Sequence, residues 1–160
     1  MRRMIASMLC ALLLLQAVPF AMAQSTPIAM LTPAKAAPGE EFTMTVRLSD
    51  WPAMKAMYIA PEYDDTVLIL TSGVWLKDGM VTENWSQVYG DAVFAAAQSM
   101  DLNGEVFTLT FRVKETAAVK KSVAVTCNFI IQGEQNGQDV TESLRIAAAV
   151  DIFCRHGDKQ

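Results

Sequence analysis

The 160-residue chain is poor in the residues from which most active sites are built: it has one histidine and three cysteines. That histidine, His156, stands near the end of the chain in Cys154-Arg155-His156-Gly157-Asp158, with no organised surroundings for a catalytic base. No Gly-x-Ser-x-Gly elbow, phosphate-binding glycine loop or His-Glu-x-x-His occurs, so the common routes to hydrolysis, nucleotide chemistry and zinc peptidase chemistry have no support. No catalytic residue is assigned, and the chain is read as a non-enzyme. With Cys10 in the N-terminal segment, only Cys127 and Cys154 are left in the body of the chain. They permit one disulfide at most, and with a lone histidine they are too few for a structural zinc site.

Basic residues are also scarce, 13 against 17 acidic ones. This balance argues against a nucleic acid or an anionic membrane as partner, since either calls for a basic patch. Long apolar runs are absent beyond the first 23 residues. There Arg2 and Arg3 precede an apolar stretch from Ile5 to Leu15, and Ala21-Met22-Ala23 supplies small residues for a signal peptidase. The stretch is too short to cross a hydrocarbon core of about 30 Å as a helix. Cys10 does not make a good lipoprotein site, because bulky Leu9 precedes it and much of the apolar run follows it. The expected organisation is therefore a signal peptide at 1–23, one domain at 24–153 and a short tail at 154–160. Removing Arg2 and Arg3 leaves 11 basic residues against the same 17 acids, so the mature charge is −6. With no second long apolar segment, the mature protein is expected to be secreted and soluble.

What the sequence has in abundance is alternation. Phe42, Met44, Val46 and Leu48 alternate with Glu41, Thr43, Thr45 and Arg47, and Phe107, Leu109, Phe111 and Val113 with Val106, Thr108, Thr110 and Arg112. Val123, Val125, Cys127, Phe129 and Ile131 alternate with Ser122, Ala124, Thr126, Asn128 and Ile130. Leu144, Ile146, Ala148, Val150 and Ile152 do so with Arg145, Ala147, Ala149, Asp151 and Phe153. A period of two marks strands with one face in a core and the other toward water. Pro38-Gly39 suits a type II turn, and Asp78-Gly79, Asn103-Gly104 and Asn136-Gly137 are tight-turn signals. Nine strands are expected, at Ile28–Leu31, Glu41–Leu48, Lys55–Tyr63, Val67–Leu70, Glu83–Tyr89, Ala92–Ala97, Glu105–Val113, Ser122–Ile131 and Ser143–Phe153. Many short strands with regular turns point to an all-β sandwich or barrel. Pro61 falls inside the third strand, where it removes a ladder donor, so a bulge or interruption is expected near it.

Binding chemistry is sparse. Asp64-Asp65 and Glu40-Glu41 are the obvious acidic pairs, and both read as turn or strand-edge residues rather than a glycosidase pair facing across a cleft. Asp101-Leu102-Asn103-Gly104-Glu105 sets oxygen ligands at alternate positions, as calcium loops do, but lacks a full twelve-residue loop, and the Asn-Gly turn accounts for the same residues. No metal ligand and no cofactor is assigned. Trp51, Trp75 and Trp85 could contribute to a sugar-stacking platform; Trp75 follows an apolar strand and is assigned to the core, while Trp51 and Trp85 lie beside polar loop residues.

The order of motifs carries a resemblance. Pro38-Gly39-Glu40-Glu41-Phe42 leads into an alternating strand and then Ser49-Asp50-Trp51-Pro52. Tyr63-Asp64 is followed by Val67-Leu68-Ile69-Leu70-Thr71-Ser72-Gly73, and later come Ala92-Val93-Phe94-Ala95-Ala96 and Gly104-Glu105-Val106-Phe107-Thr108-Leu109-Thr110-Phe111-Arg112-Val113. Over about residues 26 to 153 this resembles a cohesin domain, the receptor module for dockerins in cellulosome-type assemblies. The resemblance implies a nine-stranded jelly-roll β-sandwich and a dockerin-containing partner, for example a carbohydrate-active enzyme, docked on the outer face of strands 8, 3, 6 and 5. It implies that Tyr63 points inward, which turns Ala56, Tyr58, Ala60 and Glu62 toward the partner. Val93, Ala95 and Gln98 join them from strand 6 and Thr126 and Asn128 from strand 8, with Tyr89 as the aromatic that cohesins often present before strand 6. Ala56 and Tyr58 stand where many cohesins carry polar residues. Any calcium would belong to the dockerin. The alternatives are a carbohydrate-binding sandwich that takes a polysaccharide on Trp51 or Trp85, and a structural surface-protein domain with the cohesin fold.

Overall fold

A computed structural model describes residues 27–85, 90–135 and 137–154. The expected signal peptide, Tyr89 and His156 therefore lie outside the described residues, and the Trp85 side chain is not among those described. Among the described residues ten strands form: β1 (Ile28–Leu31), β2 (Ala34–Ala36), β3 (Glu41–Ser49), β4 (Met54–Tyr63), β5 (Leu68–Trp75), β6 (Met80–Trp85), β7 (Gly90–Met100), β8 (Gly104–Val113), β9 (Lys121–Gln135) and β10 (Gln138–Ile152). They build a four-stranded sheet in the order β1-β3-β8-β5 and a six-stranded sheet in the order β2-β10-β9-β4-β7-β6. All pairings are antiparallel except β2 with β10, which is parallel. β1 and β2 occupy one strand position broken at Thr32-Pro33, where the chain leaves the first sheet and joins the second. Counted this way the sandwich has the nine strands of the expected jelly roll. The three-residue β2 is too short for its alternation to stand out in the sequence.

The core is the set of inward residues that the alternation identifies. Met44, Val46, Leu48, Leu109, Phe111 and Val113 from one sheet meet Met57, Ile59, Phe94, Val125, Cys127, Phe129 and Ile131 from the other, all buried. Each large apolar side chain so placed contributes about 1.5–3 kcal/mol relative to exposure. Phe111 is central: Phe42 stacks on it at 5.6 Å between ring centroids, and Tyr63 meets it edge-on at 5.1 Å. Trp75, as assigned, packs inward, stacked on Phe94 at 4.5 Å.

The turns follow their chemistry. Gly39 sits at φ 82°, and the Glu40 N–H donates to the Ala37 carbonyl at 3.0 Å, closing the turn at Pro38-Gly39. Gln135 pairs with Gln138, so the β9–β10 hairpin turns on two residues, with Gly137 at φ 76°.

Three departures from the sequence reading have local causes. The bulge expected near Pro61 lies instead at Lys55, between Met54 and Ala56; Pro61 keeps regular register with Cys127 on β9. The β7 ladder stops at Ile59, so at Pro61 that side of β4 has no partner strand and the missing N–H is tolerated as it is at an edge. β5 runs on past Leu70 to Trp75, with the extra Thr71 absorbed as a bulge opposite β8. β6 begins at Met80, directly after the Asp78-Gly79 turn, rather than at Glu83.

Candidate partner-binding face

The expected docking strands 8, 3, 6 and 5 correspond to β9, β4, β7 and β6, and they are hydrogen-bonded neighbours in that order. On β4 the parity is as expected: Met57, Ile59 and Pro61 are buried, whereas Ala56, Tyr58, Ala60 and Glu62 turn away from the core. On β7, Ala92 and Phe94 are buried and Val93 faces out with 44% exposure. Register then assembles the face row by row. Tyr58 is opposite Ile130 on β9 and Val93 on β7, and Val93 is opposite Thr82 on β6. One row along, Ala56 lies between Gln132 and Ala95, and Ala95 is opposite Met80. In the other direction Ala60 is opposite Asn128, which is opposite Arg145 on β10.

The resulting relief is an apolar ridge, Ile130–Tyr58–Val93, across three strands and flanked by alanines. Ile130 (43% exposed) and Met80 (74%) are apolar side chains held in water on this face. Neither was assigned to the site from sequence. Ile130 has the outward parity on β9 and was legible from alternation alone; Met80 lies before the expected start of its strand. The Tyr58 phenol is held above its ordinary pKa, first by burial among its neighbours and then by the Asp91 carboxylate to which it is hydrogen-bonded.

Polar groups close one end. Glu62 Oε1 accepts from Asn128 Nδ2 at 2.7 Å, and Glu62 Oε2 accepts from Arg145 Nη2 at 2.9 Å. Thr126 has the outward parity but lies opposite Glu62 and Ala147 and is only 9% exposed, so it offers a partner almost no surface. Gln98 is exposed but sits in a bulge: β7 goes from Ala95 to Met100 while β4 advances only from Ala56 to Met54. The bulge and Met80 border an open groove beside the ridge.

The remaining candidates find structural roles. Trp51 is 7% exposed, its indole N–H donates to the Ile28 carbonyl at 2.9 Å, and its ring is unavailable as a stacking platform. The Asp101 carboxylate accepts from the Asn103 N–H and Nδ2, both at 2.8 Å, which holds its pKa below the usual carboxylate range. Leu102 between them is fully buried. Among the described residues no group of three or more histidine, cysteine or acidic side chains is placed to hold a metal ion. Asp64 caps its own turn through Thr66, with Lys121 at 3.5 Å, and Glu41 pairs with Arg112 at 2.7 Å. Cys127 is buried and Cys154 exposed, both as free thiols.

Comparison with known proteins agrees with this architecture. Similar solved structures include the sixth cohesin of scaffoldin B from Acetivibrio cellulolyticus, in complex with a Cel5 dockerin variant (TM-score 0.65, 16% identity, 80% of this chain and 99% of that one). The third cohesin of ScaC, in complex with the ScaB dockerin from the same organism, gives TM-score 0.67 at 13% identity, covering 81% and 100%. A non-cellulosomal cohesin from the archaeon Archaeoglobus fulgidus gives 0.66 at 16% identity, covering 82% and 94%. At these identities the likeness is one of fold. No curated protein is similar enough in sequence to count as a match. The family profile described as "Cohesin domain" matches residues 29–152, most of the chain and nearly all of the sandwich, and the chain therefore belongs to the cohesin family.

Proposed function

We propose that this chain is a non-catalytic, extracellular protein-binding module that captures a dockerin-bearing protein on the outer face of β9, β4, β7 and β6. The observation that carries the reading is the Ile130–Tyr58–Val93 ridge, an aromatic anchor between two exposed aliphatic side chains. Such a ridge leaves few charges to desolvate and gives a partner helix a rigid apolar line to lie against. Family membership supports the reading, as do similar cohesins held in complex with dockerins. Ala56, Tyr58, Glu62, Val93, Ala95 and Asn128 are the proposed contacts, joined by Ile130 and Met80. Gln98 and Tyr89 flank Val93 and Ala95 in the sequence. The segment 1–23 would direct export, leaving the domain at 24–153 and a tail at 154–160. A dockerin-bearing carbohydrate-active enzyme is the proposed cargo.

The test is calorimetric titration of the purified domain against dockerin modules encoded in the same genome. Saturable binding that Tyr58→Ala weakens at least tenfold supports the reading. Absence of binding to every dockerin overturns it, and so does binding indifferent to Tyr58→Ala.

A further inference from the structure

Arg145 lies on β10, outside the four strands that carry the proposed docking face, yet it reaches back into that face. Alternation fixes its direction: Leu144 and Ile146 on either side pack against the core, so Arg145 points outward. In the register it is opposite Asn128, one row along from the Ile130–Tyr58–Val93 ridge. Its guanidinium is held in place by Glu62, which is itself fixed by Asn128. The arrangement is a relay of orientation from β9 through β4 to β10.

Within the trio, the unused hydrogen-bonding capacity is greatest on Arg145. Each Glu62 oxygen already accepts one bond, and Asn128 Nδ2 is engaged. A guanidinium carries five N–H donors in a rigid fork. A single Arg145 nitrogen is engaged with Glu62, while the Arg145 side chain remains 64% exposed and that of Glu62 58%. Lys55, at the start of β4, is by contrast held by Glu134 at 3.0 Å and Asp139 at 3.5 Å. Arg145 is thus an oriented cation with open donors beside an apolar ridge, on a chain whose net charge is negative.

We propose that Arg145 is a specificity-determining residue of the docking face, pairing with an acidic side chain on the partner helix that lies against Tyr58, with Glu62 and Asn128 as positioning residues. The proposal rests on the docking reading above. It extends the footprint to a fifth strand and assigns the partner a charge. A fixed rim cation of this kind governs association rate, salt dependence and register more than total affinity.

The experiment is titration of wild type, Arg145→Ala, Arg145→Glu, Glu62→Gln and Tyr58→Ala with the same genome-encoded dockerins, in 0.1 M and 0.5 M sodium chloride (roughly a twofold change in Debye length). Thermal melts monitor folding. Arg145→Ala is expected to weaken binding about tenfold at low salt and to lose most of the salt dependence. Arg145→Glu should be weaker still, and recover when the partner's acidic residue is changed to lysine. Glu62→Gln should weaken binding by a few-fold through a guanidinium no longer held. Arg145→Ala within twofold of wild type at both salt concentrations, while Tyr58→Ala abolishes binding, overturns the assignment of Arg145 and leaves the docking face intact. Wild type that binds no dockerin overturns both.

Discussion

Gly79 lies against the edge of the Phe94 ring so closely that a Cβ on Gly79 would fall far inside van der Waals contact with Phe94 Cε2. Phe94 has little room to give way, because it is buried in the core with its ring face stacked on Trp75. Gly79 also sits at φ 139°, a conformation that L side chains rarely adopt. Gly79→Ala is therefore expected to destabilise the fold by about 3 kcal/mol, from overlap and backbone strain together. Gly137→Ala is the control: φ is 76°, but nothing lies within 4 Å of the added methyl, so about 1 kcal/mol is expected from backbone strain alone. Urea denaturation of the two variants should separate them clearly, and equal losses would contradict the packing argument.

Asn103 ties two loops with one side chain. Its Oδ1 accepts from the Trp51 N–H at 3.0 Å, and its Nδ2 donates to the Trp51 carbonyl at 3.0 Å and to Asp101. Removing the amide leaves both polar groups of the Trp51 backbone unpaired in a half-buried setting. Asn103→Ala should cost about 2 kcal/mol by denaturant titration, and Asn103→Asp at least as much at neutral pH, since it keeps the acceptor but sets a second carboxylate against Asp101 and the Trp51 carbonyl.

Much of this was legible in the sequence, and the reasons for the rest are local. β3, β8 and β9 announce themselves because every second residue is large and apolar, and the same parity orients Tyr58 and Val93. Parity gives direction but not cover: Thr126 faces out and is nevertheless sealed by its neighbours on β4 and β10. It also fails where the backbone adds a residue. Val106 and Phe107 are consecutive and both fully buried, because β8 carries a bulge opposite Val46 and Arg47. Trp51 sits among polar loop residues and reads as exposed, but its cover comes from β1 and from Asn103, far away in sequence.

Cys127 makes pH a probe of the core. Burial alone pushes its thiol up to about 12, against an ordinary value near 9. The folded state therefore binds the proton more tightly than the unfolded state. The stabilisation linked to Cys127 is fully present below about pH 9 and is lost as pH rises toward 12. Denaturation midpoints should fall between pH 8.5 and 10.5 in wild type and fall less in Cys127→Val. With a thiol reagent at pH 8, the chain from residue 24 should show one reactive cysteine, Cys154, when native and two when unfolded. Two native thiols would show that the β9 core opens readily.

Ile130 offers the cleanest separation of binding from folding. It stands on the outer face at 43% exposure, opposite Tyr58 and Ser143, and its side chain is not part of the core. Ile130→Thr keeps the branched Cβ that suits a strand, so its melting behaviour should stay close to wild type, within about 0.5 kcal/mol. The same change removes an aliphatic wall from beside the aromatic anchor and is expected to weaken dockerin binding about tenfold. Val74 is the matched control: it is 50% exposed but belongs to β5 in the four-stranded sheet, away from the ridge. Val74→Thr should leave both stability and binding unchanged. If Val74→Thr weakens binding and Ile130→Thr does not, the partner uses the opposite sheet and the ridge is an incidental apolar surface.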